Sequence, residues 1–163
     1  MTDILKPWPV ARWHCHHNPK LRLSGDDTFQ HGRRCLQLAY DLTGDISDDL
    51  RRACLHHDDG ECITGDLPYS IKRAHPELRA MIGVLETQAL AMFGIEPWHL
   101  DDQERKLLKL VDLLDPWLWV IRCQATEEFD RHDWRMHEVE MMALADDLGL
   151  RDRVCQIIED ALS

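Results

Sequence analysis

Residues 101–120, DDQERKLLKLVDLLDPWLWV, carry the pattern that decides the fold class. Leu107, Leu108, Val111 and Leu114 fall at i, i+1, i+4 and i+7, the spacing of one helical face. The spacing predicts a helix from about Asp101 through Leu114. The pair Asp115-Pro116 then interrupts or restarts it, because proline suits a first turn but is costly in a helix interior. Asp115 is expected to cap the restarted segment. Asp112, between Val111 and Leu113, has apolar residues on several sides and is a candidate buried carboxylate in need of a partner. A place on the helix surface is the alternative for it.

The same reading extends outward in both directions. Upstream, Leu78, Met81, Ile82, Leu85, Ala89 and Met92 make a helix of about Pro76 to Phe93, with Gly94 after it. Phe29, Cys35, Leu36, Ala39 and Tyr40 form a stripe that begins near an Asp27 or Thr28 cap and stops at Gly44. Ser47 caps a shorter helix running to about His57. Between these, DDGECITGDLPYS at 58–70 holds two glycines and a proline and reads mostly as turn. Downstream, helical pattern resumes to about Leu148, and Asp152 to Ala161 forms a last short helix. Residues 1–27 look irregular, with prolines at 7, 9 and 19. No sustained alternating run of β-branched residues occurs, so the expectation is an all-α fold of five to seven helices, one domain over residues 1–163.

Composition limits the function. The 163 residues carry 30 acidic against 19 basic groups, a formal charge of -11. Such a balance opposes binding to a nucleic acid polymer or an anionic membrane, which need a positive surface. The excess is uneven: residues 1–100 hold 14 acidic and 11 basic groups, a net of -3, while 101–163 hold 16 and 8, a net of -8. A site for an anionic substrate therefore belongs in the first part. The amino-terminal stretch has no signal-peptide pattern, and no run approaches the roughly 20 apolar residues of a membrane span. Six scattered cysteines without a CxxC pair then read as reduced thiols of a cytoplasmic protein.

His56, His57, Asp58, Asp59, Glu61 and Asp66 crowd six ligating or protonatable groups into eleven residues. Like charges this close repel unless a cation compensates, and imidazoles mixed with carboxylates suit a hard-to-borderline divalent metal. A solvated acidic turn accounts for the same composition. His31 by itself reads as an ordinary surface or hydrogen-bonded histidine. Cys15, His16 and His17 invite a zinc reading, but no second ligand pair lies near them in the sequence, so they are set aside. Trp98, Trp117, Trp119 and Trp134 read as helix-packing residues.

Taken in order, His31, the His57-Asp58 pair and the distant Asp112 resemble the H…HD…D pattern of the HD-domain metal-dependent phosphohydrolases. The stretch His57 to Pro68, HDDGECITGDLP, is similar to the HD-x-x-E-x-x-TGD-x-P segment of the bacterial 5'-deoxynucleotidases of that superfamily and their phage-like relatives. Arg12-Trp13 resembles their arginine-tryptophan pair, with Gln30-His31 in place of Glu-His. The likeness spans about Arg12 to Asp112. It implies one divalent cation (Mn, Co, Mg, Fe, Ni or Zn) ligated by His31, His57, Asp58 and Asp112, with His56 only a neighbour. It implies polar roles near an attacking water for Glu61 and Asp66, a phosphate contact for Arg12, and a sugar or base wall for Trp13. Lys72 and Arg73 are further phosphate-side candidates, with exposed turn charges as the equal alternative.

The expected reaction is hydrolysis of a small phosphomonoester, in particular a nucleoside 5'-monophosphate, to nucleoside and phosphate. The alternatives are another nucleotide (a triphosphate, a cyclic nucleotide or a guanosine alarmone) on the same site, and an inactive binding protein of the same fold. Family analogy adds a homodimer. His14 and Asn18 are candidate additions to the pocket.

Overall fold

Pro116 does not break its helix. In a computed structural model, which describes residues 6–163, one helix runs unbroken from Asp102 to Arg122 with Pro116 inside it. The capping box of Asp101 and Glu104 starts it, and apolar contacts on several sides hold it through the proline. Asp115 is consequently not a cap. It lies in the middle of the most buried helix of the molecule, with Leu110, Val111, Leu114 and Val120 wholly inaccessible around it. Tertiary burial overrides the local cost of one proline.

Nine α-helical segments and one 3-10 turn make up the described residues, and the fold is all-α. They are α1 (Pro19–Arg22), α2 (Thr28–Thr43), α3 (Asp48–His56), α4 (Glu61–Thr64), α5 (Tyr69–Ala74), α6 (Pro76–Met92), α7 (Asp102–Arg122), α8 (His132–Asp147) and α9 (Arg151–Leu162), with the 3-10 turn at Thr126–Asp130 before α8. Six of these have nine residues or more, within the expected five to seven. The turn expected at 58–70 contains α4 and the start of α5. Asp27 caps α2 by accepting from the Gln30 amide, and Gly44 ends it in the left-handed region at φ 81°. Ser47 caps α3 in the same way through the Leu50 amide. No helix among the described residues is long and apolar enough to cross a membrane.

The core gathers around α7. Cys35, Leu38, Ala39 and Leu42 of α2, Leu50 and Cys54 of α3, Met141 and Ala145 of α8 and Val154 of α9 pack on its faces. Trp117, Trp119 and Trp134 belong to this core; Trp98 is half-buried. Two glycines let backbones approach where the site forms. A Cβ on Gly32 would stand 2.8 Å from the Leu55 carbonyl oxygen, and one on Gly60 2.7 Å from the Glu86 Cα. Gly32 thus lets α2 press against the end of α3, and Gly60 lets the α3–α4 turn meet α6. The irregular amino-terminal segment is fastened as well. Val10 to Arg12 pair with Asp26 to Thr28 through the Arg12 amide to the Asp26 carbonyl and the Thr28 amide to the Val10 carbonyl, both at 3.0 Å. That short bridge carries Arg12 and Trp13 to the mouth of the site.

Candidate metal centre

Gly32 brings His31 of α2 against His57, which follows the last residue of α3, while α7 supplies Asp112. The four expected ligands meet. His31 Nε2 stands 3.3 Å from His57 Nε2, 3.5 Å from Asp58 Oδ2 and 3.4 Å from Asp112 Oδ1. His57 Nε2 is 3.6 Å from Asp58 Oδ1 and 3.7 Å from Asp112 Oδ1. Donor atoms that share one divalent cation at roughly 2.1 Å stand about 3.0–3.6 Å apart, so the spacing fits ligation. His56 turns away to the buried Asp59, 2.7 Å from its Nδ1, and stays outside the group.

The far nitrogens fix the chemistry of the near ones. His57 Nδ1 donates to the Ala53 and Cys54 carbonyls at the end of α3, at 3.2 and 3.1 Å. His31 Nδ1 donates to Asp115 Oδ2 at 2.6 Å. Neutral rings so held present lone pairs at both Nε2 atoms, toward each other and toward two carboxylates. Four electron-rich groups facing inward repel unless protons or a cation join them. Protons do so in the free protein: burial disfavours charge on His57, yet Asp58 and Asp112 outweigh it and raise its pKa to about 10. Burial likewise opposes ionisation of Asp112, but Lys109, His31 and His57 hold it well below the usual carboxylate range. A divalent cation would do the same work by displacing those protons, and the donor set fits a hard-to-borderline ion. Cys35 Sγ also lies 3.6 Å from the His31 ring nitrogens, but burial pushes its thiol far up and it donates to the Val111 carbonyl, so it packs as a thiol.

Asp115 is the residue that sequence reasoning missed. Three positions after Asp112, it lies on the same helical face: Asp112 points into the group while Asp115 stands behind His31. It accepts from His31, Arg12 and Arg34. Those donors overcome its burial and hold its carboxyl well below the usual range. Asp26, equally buried, accepts from Trp13 Nε1 at 3.0 Å and Arg34 Nη2 at 2.8 Å, with Arg12 Nη1 at 3.4 Å. The i, i+3 spacing of two aspartates in the otherwise apolar stretch 110–121 is the available signal; Asp26 and Arg34 carry none.

The group opens on a cavity of about 610 Å³ whose lining includes Arg12, Trp13, Asp58, Glu61, Asp66 and Asp112. Glu61 forms part of its floor, buried, with Oε1 accepting from Lys72 Nζ at 2.7 Å and Oε2 accepting no hydrogen bond among the described residues. Burial, and then the Asp58 and Asp66 charges, raise Glu61 to about 8 against the pull of Lys72. Lys72 is therefore not a free turn charge. Arg12 commits Nη1 to Asp26 and Asp115, which leaves Nε and Nη2 for the cavity. Trp13 stacks on Trp134, nearly parallel at 6.2 Å, and makes an aromatic wall. Arg73 lines the mouth with Arg79 of α6, and neither has an ion pair among the described residues. Comparison with family models, curated proteins and solved structures finds no match to this chain.

Proposed function

We propose that this chain is a metal-dependent phosphohydrolase of the HD kind that cleaves a small phosphomonoester, a nucleoside 5'-monophosphate foremost. One observation carries the reading: two imidazole Nε2 atoms 3.3 Å apart each stand within 3.7 Å of the same two carboxylates, with both Nδ1 protons turned outward by Asp115 and by the α3 carbonyls. His31, His57, Asp58 and Asp112 would hold the cation. A divalent cation in such a set neutralises charge at phosphorus and makes water more acidic. The chain's own residues do the rest. Glu61, raised by burial, can hold or release a proton near neutral pH, as an acid or base toward water or leaving oxygen must. Lys72 keeps its carboxylate oriented. Arg12, locked by two aspartates, presents its remaining N–H groups to a phosphate without losing side-chain freedom. The Trp13–Trp134 wall offers an apolar face to a base or sugar.

A second reading keeps the site and lengthens the substrate. Arg73 and Arg79 line the same cavity without ion pairs among the described residues, which favours a nucleotide with additional phosphate groups. The test is phosphate release by metal-stripped protein resupplied with Mn, Co, Mg or Zn, over a panel of nucleoside mono-, di- and triphosphates. Release from a monophosphate that vanishes in D112A is the expected result. No release with any metal and nucleotide would overturn the function.

A further inference from the structure

The histidine-rich turn that sequence reading set aside acquires a partner in the fold. His16 and His17 stack with ring centroids 4.5 Å apart at the rim of the cavity. Glu128, of the 3-10 turn before α8, reaches them from more than a hundred residues away. His17 Nε2 stands 3.1 Å from Glu128 Oε1 and His16 Nε2 4.0 Å from Oε2, and one donor atom from each of the three lies within 4.8 Å of the others. Glu128 is only 3 % exposed. Asn18 Nδ2 donates to its Oε1 at 2.7 Å, but Oε2 is buried and accepts no hydrogen bond among the described residues. A buried carboxylate oxygen without a hydrogen bond is costly, on the order of 1–3 kcal/mol, and this one stands 4.0 Å from His16 Nε2 while His17 reaches the other oxygen.

We propose that His16, His17 and Glu128 form a second divalent-cation site, separate from the central group and of the two-imidazole, one-carboxylate kind that suits zinc. Two features of the surroundings set its strength. Arg131 Nε lies 3.5 Å from Glu128 Oε2 and competes as a cation, with Asp133 at 3.3 Å as its other partner. His16 Nδ1 accepts the Asn18 amide at 3.1 Å, so the neutral ring carries its proton on Nε2, on the side of Glu128. Loading the site therefore moves Arg131 onto Asp133 and breaks the Asn18–His16 bond. The central group needs neither change, so the rim site is the weaker of the two.

The experiment is equilibrium dialysis of the metal-stripped full chain against zinc, with the bound metal counted. Two ions of unequal affinity are expected. H17A, at a residue whose side chain is 55 % exposed, removes the weaker ion and spares the tighter one; E128Q does the same where it folds. R131Q, by deleting the competing cation, tightens the weaker ion about 2–5-fold, a gain that a merely structural role for Glu128 does not produce. A single ion that D112A removes and H17A does not, a second ion that survives H17A, or weaker binding in R131Q overturns the proposal. D112A separates the two sites: it removes the tighter ion and leaves one that still depends on His17. Failure of the central ion alone would sink the phosphohydrolase reading without touching this one.

Discussion

His31 and His57 sit on and beside helices, the first buried and the second partly so, while His16 and His17 sit in an amino-terminal turn, with one ring half in solvent. Each pair faces carboxylate. The difference lies behind the rings. Asp115 and the carbonyls at the end of α3 take the Nδ1 protons of the central pair, so both Nε2 atoms are the ones turned to the inner carboxylates. In the rim pair a backbone amide donates to His16 Nδ1 and turns the proton inward. Two histidines near a carboxylate are thus not yet a ligand set; the partner of the far nitrogen decides how ready they are.

The comparison breaks most directly at Asp115. D115N keeps the shape but removes the charge that orients His31 and balances Arg12 and Arg34. The central ion should then bind about 10–100-fold more weakly, and the chain should lose on the order of 3 kcal/mol of stability. Metal titration and denaturant unfolding of the variant check both. An affinity equal to that of the unmodified chain would show that the far side of the ring does not matter here. The rim site, which touches neither Asp115 nor His31, should be unchanged.

Next in size is the approach of the two helices. G32A places a methyl group 2.8 Å from the Leu55 carbonyl oxygen and 2.9 Å from that of Cys54. Neither atom can yield without moving α3, so the strain should amount to about 1–3 kcal/mol. Because Cys54 also accepts from His57, the shift should pull His57 out of register with His31 and lower phosphate release more than global stability. Activity that holds while the unfolding midpoint falls would confine Gly32 to packing.

Why some of this was legible in the sequence and some was not follows from the range of each interaction. Caps are local, and Asp27, Gly44, Ser47 and Asp101 mark their helices by side chains that reach two or three residues along the chain. The candidate ligands of this segment are legible as a motif, His57-Asp58 with Glu61 and Thr64 to Asp66 behind it. Pro116 reads as a break because the apolar surroundings that keep α7 continuous come from α2, α8 and α9, outside its own segment. The same distance hid Asp115, which looks like a cap beside its proline and becomes His31's partner only when α2 crosses α7. Glu128 had no signal at all; nothing near 127–130 marks it as the partner of a turn at 16–17.

The smallest expected effect concerns a third kind of histidine, one with no carboxylate in contact. His137 of α8 is buried, stacks on Trp117 and donates through Nε2 to the Leu113 carbonyl at 2.7 Å. Burial holds its pKa below the usual histidine value, and Lys109 adds to that while Asp112 and Glu140 act the other way. The unfolded chain therefore takes up this proton first as pH falls. The contribution is fully present above the unfolded value of about 6.5 and is lost progressively below it, until the lower folded value is reached. A single group gives a slope of no more than about 1.4 kcal/mol per pH unit. H137Q, whose amide can still donate to Leu113, should flatten the fall in stability between pH 7.5 and 5. Parallel pH profiles for the two proteins would show that His137 is protonated alike in both states, and that burial without a carboxylate is not enough to set a histidine apart.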